Sequence, residues 1–590
     1  MRSALMTAMI IIGASAISCE GEFANHAISD PETKHHSGLE TTHRPAIVSS
    51  PTPHRSDLQV SRHNKHGMIL TLANRGDPPA GFDPFRTSSI ALHHVGGAIF
   101  GPGNLVMRCR QNTDMVCPYL ATGWSTDSGF TKWTFTIRNG VSWHDGPTLT
   151  AEDIKWWLEL GYFGEVDGES IRTPAYFRNE IGQISKIEVI NPDQLQVSFS
   201  HRNPTFLGAL ANPRIKIAHP RHLMEKPIKA GNQQIRPVDL RVPGLGPFKL
   251  VEYSHGSLIR TQRYDGYWET NEDGPLPYLD GIDYVIIPDP LSMDIAFRGG
   301  QLDGGARGQG HYLTVDRQLP YIRQLGDRVA FAKMDGGTFR LAFNVLKNGP
   351  WQNRKVRRAI SLWIDREAAI PQALGGFGWT VPNLGAPDVP IPIGRALFIN
   401  WPKFDIEPLS ERREQAKRLL AESGHDRGFK MGHLCRSIYS ISCEFLKAQL
   451  AGLGIDLVLH MIEEGQWNQV RSSAKYDTQQ GRLTPSPIPE ATESVYGNYS
   501  ANPDSYAKHE DPNVHNLYMQ LRDTLTDPQR ILVWREIEKY LFVDQSYVIP
   551  IAESVNVIPY RSYVNGLAIP FEDGHTNTDF STVWIEKQNR

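Results

Sequence analysis

Residues 143–157 read Trp-His-Asp-Gly-Pro-Thr-Leu-Thr-Ala-Glu-Asp-Ile-Lys-Trp-Trp. A His beside an Asp, with further carboxylates at Glu152 and Asp153, has the makings of acid–base or metal-binding machinery. Local rules account for most of it without chemistry. Asp145-Gly146 suits a turn. Thr150 stands where a helix N-cap belongs, and Asp153, three residues on, forms a variant of the capping box. Glu152 and Asp153 fall in the first turn, where the helix dipole favours negative charge. Ile154, Trp157 and Leu158 follow i, i+3, i+4 spacing and predict a buried helix face. His144 alone has no local explanation.

Upstream, Trp133, Phe135 and Ile137 alternate with Thr134, Thr136 and Arg138. Asn139-Gly140 offers a turn, and Val141 and Trp143 restart the alternation, so the pattern predicts a hairpin over 133–143. Further hairpins are predicted around Asn191-Pro192-Asp193 and around Ser254-His255-Gly256. Met68 to Ala73 reads as a first strand. Residues 339–370 read as a strand, a loop and a helix whose apolar face is Ala359, Ile360, Trp363 and Ile364. An amphipathic helix stops at Gly424, and another runs through Gly454 into a strand. The fold class is mixed α/β with many hairpins and no tandem repeat.

Composition narrows the function classes. In 590 residues, 61 Lys and Arg nearly balance 64 Asp and Glu, and the net charge of −3 carries no basic footprint for nucleic acid. After Met1-Arg2-Ser3, residues Ala4–Ile17 form an uncharged, largely apolar run, short for a membrane span and suited to a signal-peptide core. It ends at Ser18-Cys19, so residues 1–19 read as an export signal with Cys19 as a lipidation site, or as an ordinary cleaved signal. Residues 20–66 are rich in Pro, Ser, Thr, His and charge and read as a disordered tether. Cys109, Cys117, Cys435 and Cys443 form two pairs, each with seven intervening residues. In an exported chain the expected pairing is Cys109–Cys117 and Cys435–Cys443, with four free thiols as the alternative.

The sequence lacks G-x-S-x-G, P-loop, strand-borne G-x-G-x-x-G and H-E-x-x-H signatures. No enzyme, cofactor or metal centre is therefore expected. His93-His94 reads as a polar loop, with a nickel or haem role as the other reading.

An ordered series of blocks then carries a resemblance. "YLATGWS" at 119–125 is similar to P-x-L-A-x-x-W. "WTFTIRNGVSWHDGPTLTAEDIKWWLE" at 133–159 resembles F-x-L-R-x-G-V-x-F-H-D-G-x-P-x-T-A-x-D-V. "GLGPFKL" opens a block resembling G-T-G-P-Y, closed by Tyr267-Trp268. "PYLDGIDYVIIPD", "LAFNVLKNGPWQNRKVRRAISLWIDREAAI", "QAKRLLAESG" and "QLAGLGIDL" continue the series in order, from about 68 to 586. These blocks resemble the large solute-binding proteins of bacterial ABC importers, family 5, the group of oligopeptide, dipeptide and nickel binders.

The resemblance implies a two-lobed periplasmic-binding-protein-like fold with an extra subdomain. Lobe I is expected over 67–105, 216–288 and 551–590, the subdomain over 106–215, and lobe II over 289–550. Crossings near Pro288–Pro290 and Tyr547–Pro550 would form the hinge. The implied protein is a monomeric, extracytoplasmic binder, possessing no catalytic residues. It takes a peptide or peptide-like solute and hands it to a permease with its ATPase. An oligosaccharide or metal-chelate ligand, or an exported hydrolase on a similar frame, is the alternative. His144 falls in a turn block of the resemblance and is expected to be structural. The ligand-binding candidates are Trp379 and Trp401 in irregular segments, Arg482 for a carboxylate and Glu490 for an ammonium group. Arg482 stands where the family often has Trp after Gly.

Overall fold

The folded body begins with β1 (Ile69–Asn74), whose Leu70, Leu72 and Ala73 are fully buried, and with helix α1 (Ile90–Ile99). The computed structural model describes residues 65–590 except 88, 111–114, 167, 172–174, 176–177, 179–180, 306–314, 377, 381–406, 463–466, 484–504, 525–526, 568–578 and 587–590. The signal, Cys19 and the tether lie outside the described residues.

The next segment builds the extra subdomain. Strands β2 (Ala121–Thr126), β3 (Lys132–Ile137), β4 (Ile184–Asn191) and β5 (Gln194–Phe199) form an antiparallel sheet in the order β2–β3–β5–β4. The hairpin predicted over 133–143 does not form. β3 pairs instead with β2 and with β5, placing Trp133 opposite Val197 and Phe135 opposite Leu195. Packing with a distant apolar strand outweighs the local turn, because cross-strand partners set a strand's stability. The hairpin predicted around 191–193 is present as β4–β5. Helix α2 (Ala151–Leu158) covers this region with Ile154, Trp157 and Leu158 buried, as its spacing predicts. Its capping box is complete: the Thr150 hydroxyl accepts from the Asp153 N–H, and the Asp153 carboxylate accepts from the Thr150 N–H at 2.8 Å. One apolar cluster gathers Trp133, Phe135, Trp143, Trp157, Phe206 and their neighbours.

Strands β6 (Phe248–Ser254), β7 (Leu258–Arg263) and β8 (Gly281–Ile286) rejoin β1 in the order β1–β8–β7–β6, with β1 and β8 parallel. β6–β7 is the hairpin predicted around 254–256. Helices α3 (Pro290–Arg298) and α4 (Val315–Leu325) bring Met293, Ala296, Phe297, Tyr321 and Leu325 into one cluster with Ala73 of β1. Helices α3 and α4 thus share a cluster with the first sheet, whereas the sequence reading begins lobe II at 289.

The second lobe is built on a six-stranded sheet. β9 (Val329–Phe343), β10 (Gly378–Thr380), β11 (Phe429–Arg436), β12 (Ile455–Ile462), β13 (Thr478–Leu483) and β14 (Val548–Arg561) lie in the order β10–β14–β9–β13–β11–β12. Helix α5 (Arg354–Trp363) buries Val356, Ala359, Ile360 and Trp363 with Ala416 and Leu420 of α6 (Leu409–Glu422). Helix α7 (Ser440–Ala451) leads through Gly454, at φ 82°, into β12. Gly428 and Gly454 approach so closely that a Cβ on Gly428 would meet the Gly454 oxygen at 1.9 Å, so only glycine fits there.

β9 and β14 are long enough to serve both lobes. Their inner halves carry Leu341, Phe343, Ile549 and Ile551 into the second-lobe core. Their outer ends pair Val329 with Arg561, and Gly304 bridges Leu72 of β1 to Tyr560 of β14. The register slips between Asp335 and Gly337, opposite Val555 and Ser554. β9 and β14 thus run from the six-stranded sheet to the bridge with β1. Val564, Phe580, Val583 and Ile585 return the tail to the first-lobe core.

Candidate functional site

His144 is buried and clamped. Its Nδ1 accepts from the Gly244 N–H at 3.2 Å, and its Nε2 faces the Gly246 carbonyl at 2.9 Å. A neutral ring with its proton on Nε2 satisfies both partners. Burial pushes its pKa down to about 4, although the Gly246 carbonyl favours the protonated form. Tyr264 packs edge-on at 4.9 Å. Gly244 and Gly246 press against α1, where added Cβ atoms would strike the Ile99 and Ala98 oxygens at 2.0 and 2.5 Å. Asp145 pairs with His222 at 2.8 Å. The group that suggested acid–base chemistry thus has both nitrogens engaged by backbone.

His93 and His94 lie in α1, so the expected polar loop is a helix, and both are buried. His94 Nδ1 lies 3.3 Å from Asn74 Oδ1. Among the described residues no group of three or more His, Cys, Asp or Glu is placed to hold a metal ion. Cys109 is bonded to Cys117, and Cys435 to Cys443.

The second-lobe sheet supplies a different kind of place. β11, β12 and β13 are parallel, so their carboxyl ends share one edge of the sheet. Open α/β sheets bind ligands outside such an edge. Two of the sequence candidates lie on strands of this sheet, and the register gives their rows. Trp379 pairs with Glu553, which pairs with Thr338, which pairs with Leu483. In the adjacent row, Thr380, Ala552, Phe339 and Arg482 are paired in turn. Trp379 and Arg482 thus occupy neighbouring rows on the strands flanking β14 and β9, about 14 Å apart at the usual strand spacing. Beyond these rows β10 and β13 end, and only β9 and β14 continue toward the first sheet. Trp401 and Glu490 lie outside the described residues.

Arg436, the last residue of β11, packs against aromatic rings. Its guanidinium lies 5.3 Å from the Tyr439 ring centre and 5.5 Å from that of Trp467. Its signal in the sequence was weak: a basic residue ending an apolar strand, in "HLCRSIY". A small polar crevice was also unforeseen. It runs between Gln183, His201, Arg202 and Thr205 of the subdomain and Tyr518 and Arg522 of helix Pro512–Asp523.

With this geometry, similarity to known proteins becomes informative. The family model described as bacterial extracellular solute-binding proteins, family 5 (middle region), matches residues 116–506. The chain belongs to this family. As a member it is an extracytoplasmic solute-binding component of an ABC-type importer, capturing its solute and delivering it to a membrane permease. The dipeptide-binding protein of Escherichia coli (strain K12) is 24% identical over 433 residues, covering 68% of this chain and 73% of that protein. The periplasmic oligopeptide-binding protein OppA of Haemophilus influenzae is 23% identical over 518 residues, covering 84% and 90%. The solved structure of DppA from Helicobacter pylori with the peptide STSA superposes with a TM-score of 0.73 at 19% identity, covering 89% of this chain and 99% of that one. The fold is therefore the two-lobed periplasmic-binding architecture of this family. These relatives are binding proteins.

Proposed function

We propose that the family 5 protein captures a peptide at the edge of the second-lobe sheet where the strands carrying Trp379 and Arg482 end, as the lobes close about β9 and β14. One observation carries this reading: both flanking strands end where the sheet narrows to the two crossing strands. A solute held there touches the second lobe and faces the first, so it favours the closed form over the open one. Peptide as the solute draws on the names of the relatives, which include a dipeptide binder and an oligopeptide binder. Arg482 would take a carboxylate through its two-pronged guanidinium, and Trp379 would stack on the ligand. Glu490 for an ammonium group and Trp401 for a second stack complete the proposed set. The proposed protein is a monomer without catalytic activity, held at the membrane through lipid on Cys19. One acyl chain gives marginal binding, so that anchor requires more than one.

Thermal shift and calorimetry with tri-, tetra- and pentapeptides test the reading. Saturable stabilisation with every peptide recovered intact is expected, and Arg482→Ala and Trp379→Ala should each weaken binding about tenfold. Peptide consumed by the purified protein would favour the hydrolase alternative. A chain that stays membrane-bound after Cys19→Ala would remove the lipid anchor from the account.

A further inference from the structure

We infer that a small oxyanion binds in the polar crevice between the subdomain and helix Pro512–Asp523, and that it holds the second lobe against the subdomain. The site is separate from the sheet edge proposed for the solute and rests on the two-lobed fold alone.

One rim of the crevice belongs to the subdomain. Gly182 and Gln183 precede β4, and His201 and Arg202 follow β5, the strand paired with it. This rim is held from behind. The Tyr162 hydroxyl donates to the Gly182 carbonyl at 2.7 Å, and the Ser200 N–H donates to the Gln183 carbonyl at 3.0 Å. The Asn203 side-chain amide donates to the Ile181 carbonyl at 2.9 Å. These bonds fix the backbone and leave the outer side chains uncommitted. Among the described residues, no hydrogen bond or ion pair engages the side chains of Gln183, His201 or Arg202, and all three are exposed.

The opposite rim belongs to the second lobe. Helix Pro512–Asp523 packs Val514 and Leu521 with Ala342 of β9 and Val548 of β14, and it brings Tyr518 and Arg522 to the crevice. The exposed carboxylate of Asp523 accepts from Nε of Arg522 at 3.0 Å and from Nη2 at 3.4 Å, which leaves Nη1 for another acceptor. Arg202 has no such neighbour. Among the described residues, no Asp or Glu lines the crevice.

Two guanidiniums from separate parts of the molecule therefore share one crevice. Like charges brought together across an interface oppose its closing. An oxyanion reverses that effect. The planar fork of Arg202 fits a phosphate or a carboxylate, and Arg522 adds a charged donor from the other rim. The Gln183 amide and the His201 ring add neutral donors. An anion that touches both rims binds the joined arrangement more tightly than the separated one, so it shifts the equilibrium toward the joined form. The crevice is small, which suits a single oxyanion and not a whole solute.

Calorimetry on the purified chain with sodium phosphate, at an ionic strength held constant with sodium chloride, tests the site. Saturable binding is expected, and Arg202→Gln should weaken it about tenfold, the loss of one charge-assisted hydrogen bond. Arg522→Gln should weaken it in the same direction. Lys186→Gln removes an exposed cation that pairs with Glu188 outside the crevice and should bind phosphate as wild type does. Acetate in place of phosphate shows which oxyanion the crevice prefers, and loss of that binding in Arg202→Gln is expected for either. Circular dichroism and melting in chloride should match wild type for all three variants. Small-angle X-ray scattering should show phosphate reducing the radius of gyration of wild type and not of Arg202→Gln. Unchanged phosphate binding in Arg202→Gln, the same compaction with sodium chloride alone, or binding without compaction overturns the inference. Peptide binding with no phosphate effect leaves the proposed function standing, and phosphate binding with no peptide bound leaves only this site standing.

Discussion

His144 and Arg436 make an instructive pair. Each is a basic side chain at the end of an extended segment, beside aromatic rings, in a different part of the chain. His144 points into packed backbone and meets a partner on each nitrogen. Arg436 sits at the carboxyl edge of a parallel sheet, where strands end and loops begin. A side chain enclosed by backbone serves stability. A cation at a strand end that packs against aromatic rings is held by contacts of another kind. The neighbouring residues, more than the residue type, decide between these roles.

The sharpest way to break the comparison is to remove the His144 ring. His144→Ala leaves the Gly244 N–H and the Gly246 carbonyl without their partner in a buried place, so a loss of about 3 kcal/mol in unfolding free energy is expected. Affinity per folded molecule should hold. A variant that melts like wild type but no longer binds would reverse the roles assigned here.

Acid titration probes the same residue with nearly the same magnitude. The folded His144 holds its pKa at about 4, and an unfolded histidine titrates near 6.5. Between these values the unfolded chain binds the extra proton, so stability is lost as pH falls from about 6.5 toward 4 and levels off below. The shift corresponds to on the order of 3 kcal/mol. His433, buried on β11 beside Thr478 and pushed down to about 3, acts in the same direction and extends the loss to lower pH. Urea unfolding at several pH values measures the slope, and His144→Gln should make it shallower.

On the other side of the comparison, Arg436→Gln removes contacts with the Tyr439 and Trp467 rings that are worth about 1 kcal/mol, and a melting experiment measures the loss. The smallest expected change is at the helix cap. Thr150→Ala removes one N-cap acceptor and should cost about 1 kcal/mol without touching affinity. Equal stability losses from Arg436→Gln and Thr150→Ala would place Arg436 among the structural residues.

Much of the fold was legible from local patterns. The capping box at Thr150–Asp153, the turn at 191–193, the helix over Arg354–Trp363 and the Gly454 stop each follow from neighbours within a few residues. The hairpin over 133–143 was misread because strand pairing is a choice between partners, and the better partner lay some sixty residues away, at Gln194–Phe199. Long strands that serve two cores are hidden in the sequence for a similar reason. Nothing in the sequence of Val329–Phe343 or Val548–Arg561 says that one strand will serve two cores.

For the site, register was the missing information. Trp379 and Arg482 are far apart in the chain, and β14 and β9 between them bring the two to one edge. A single arginine after an apolar strand, such as Arg436, resembles a solvated strand end, and only the fold sets rings beside it. By itself, the sequence determined the elements, their caps and the family, since these rest on short-range spacing and on the order of blocks. Only the tertiary structure decided which strands pair, which strands serve two cores, and which rings lie beside Arg436. Those outcomes depend on contacts between distant segments, whose partners are chosen by packing.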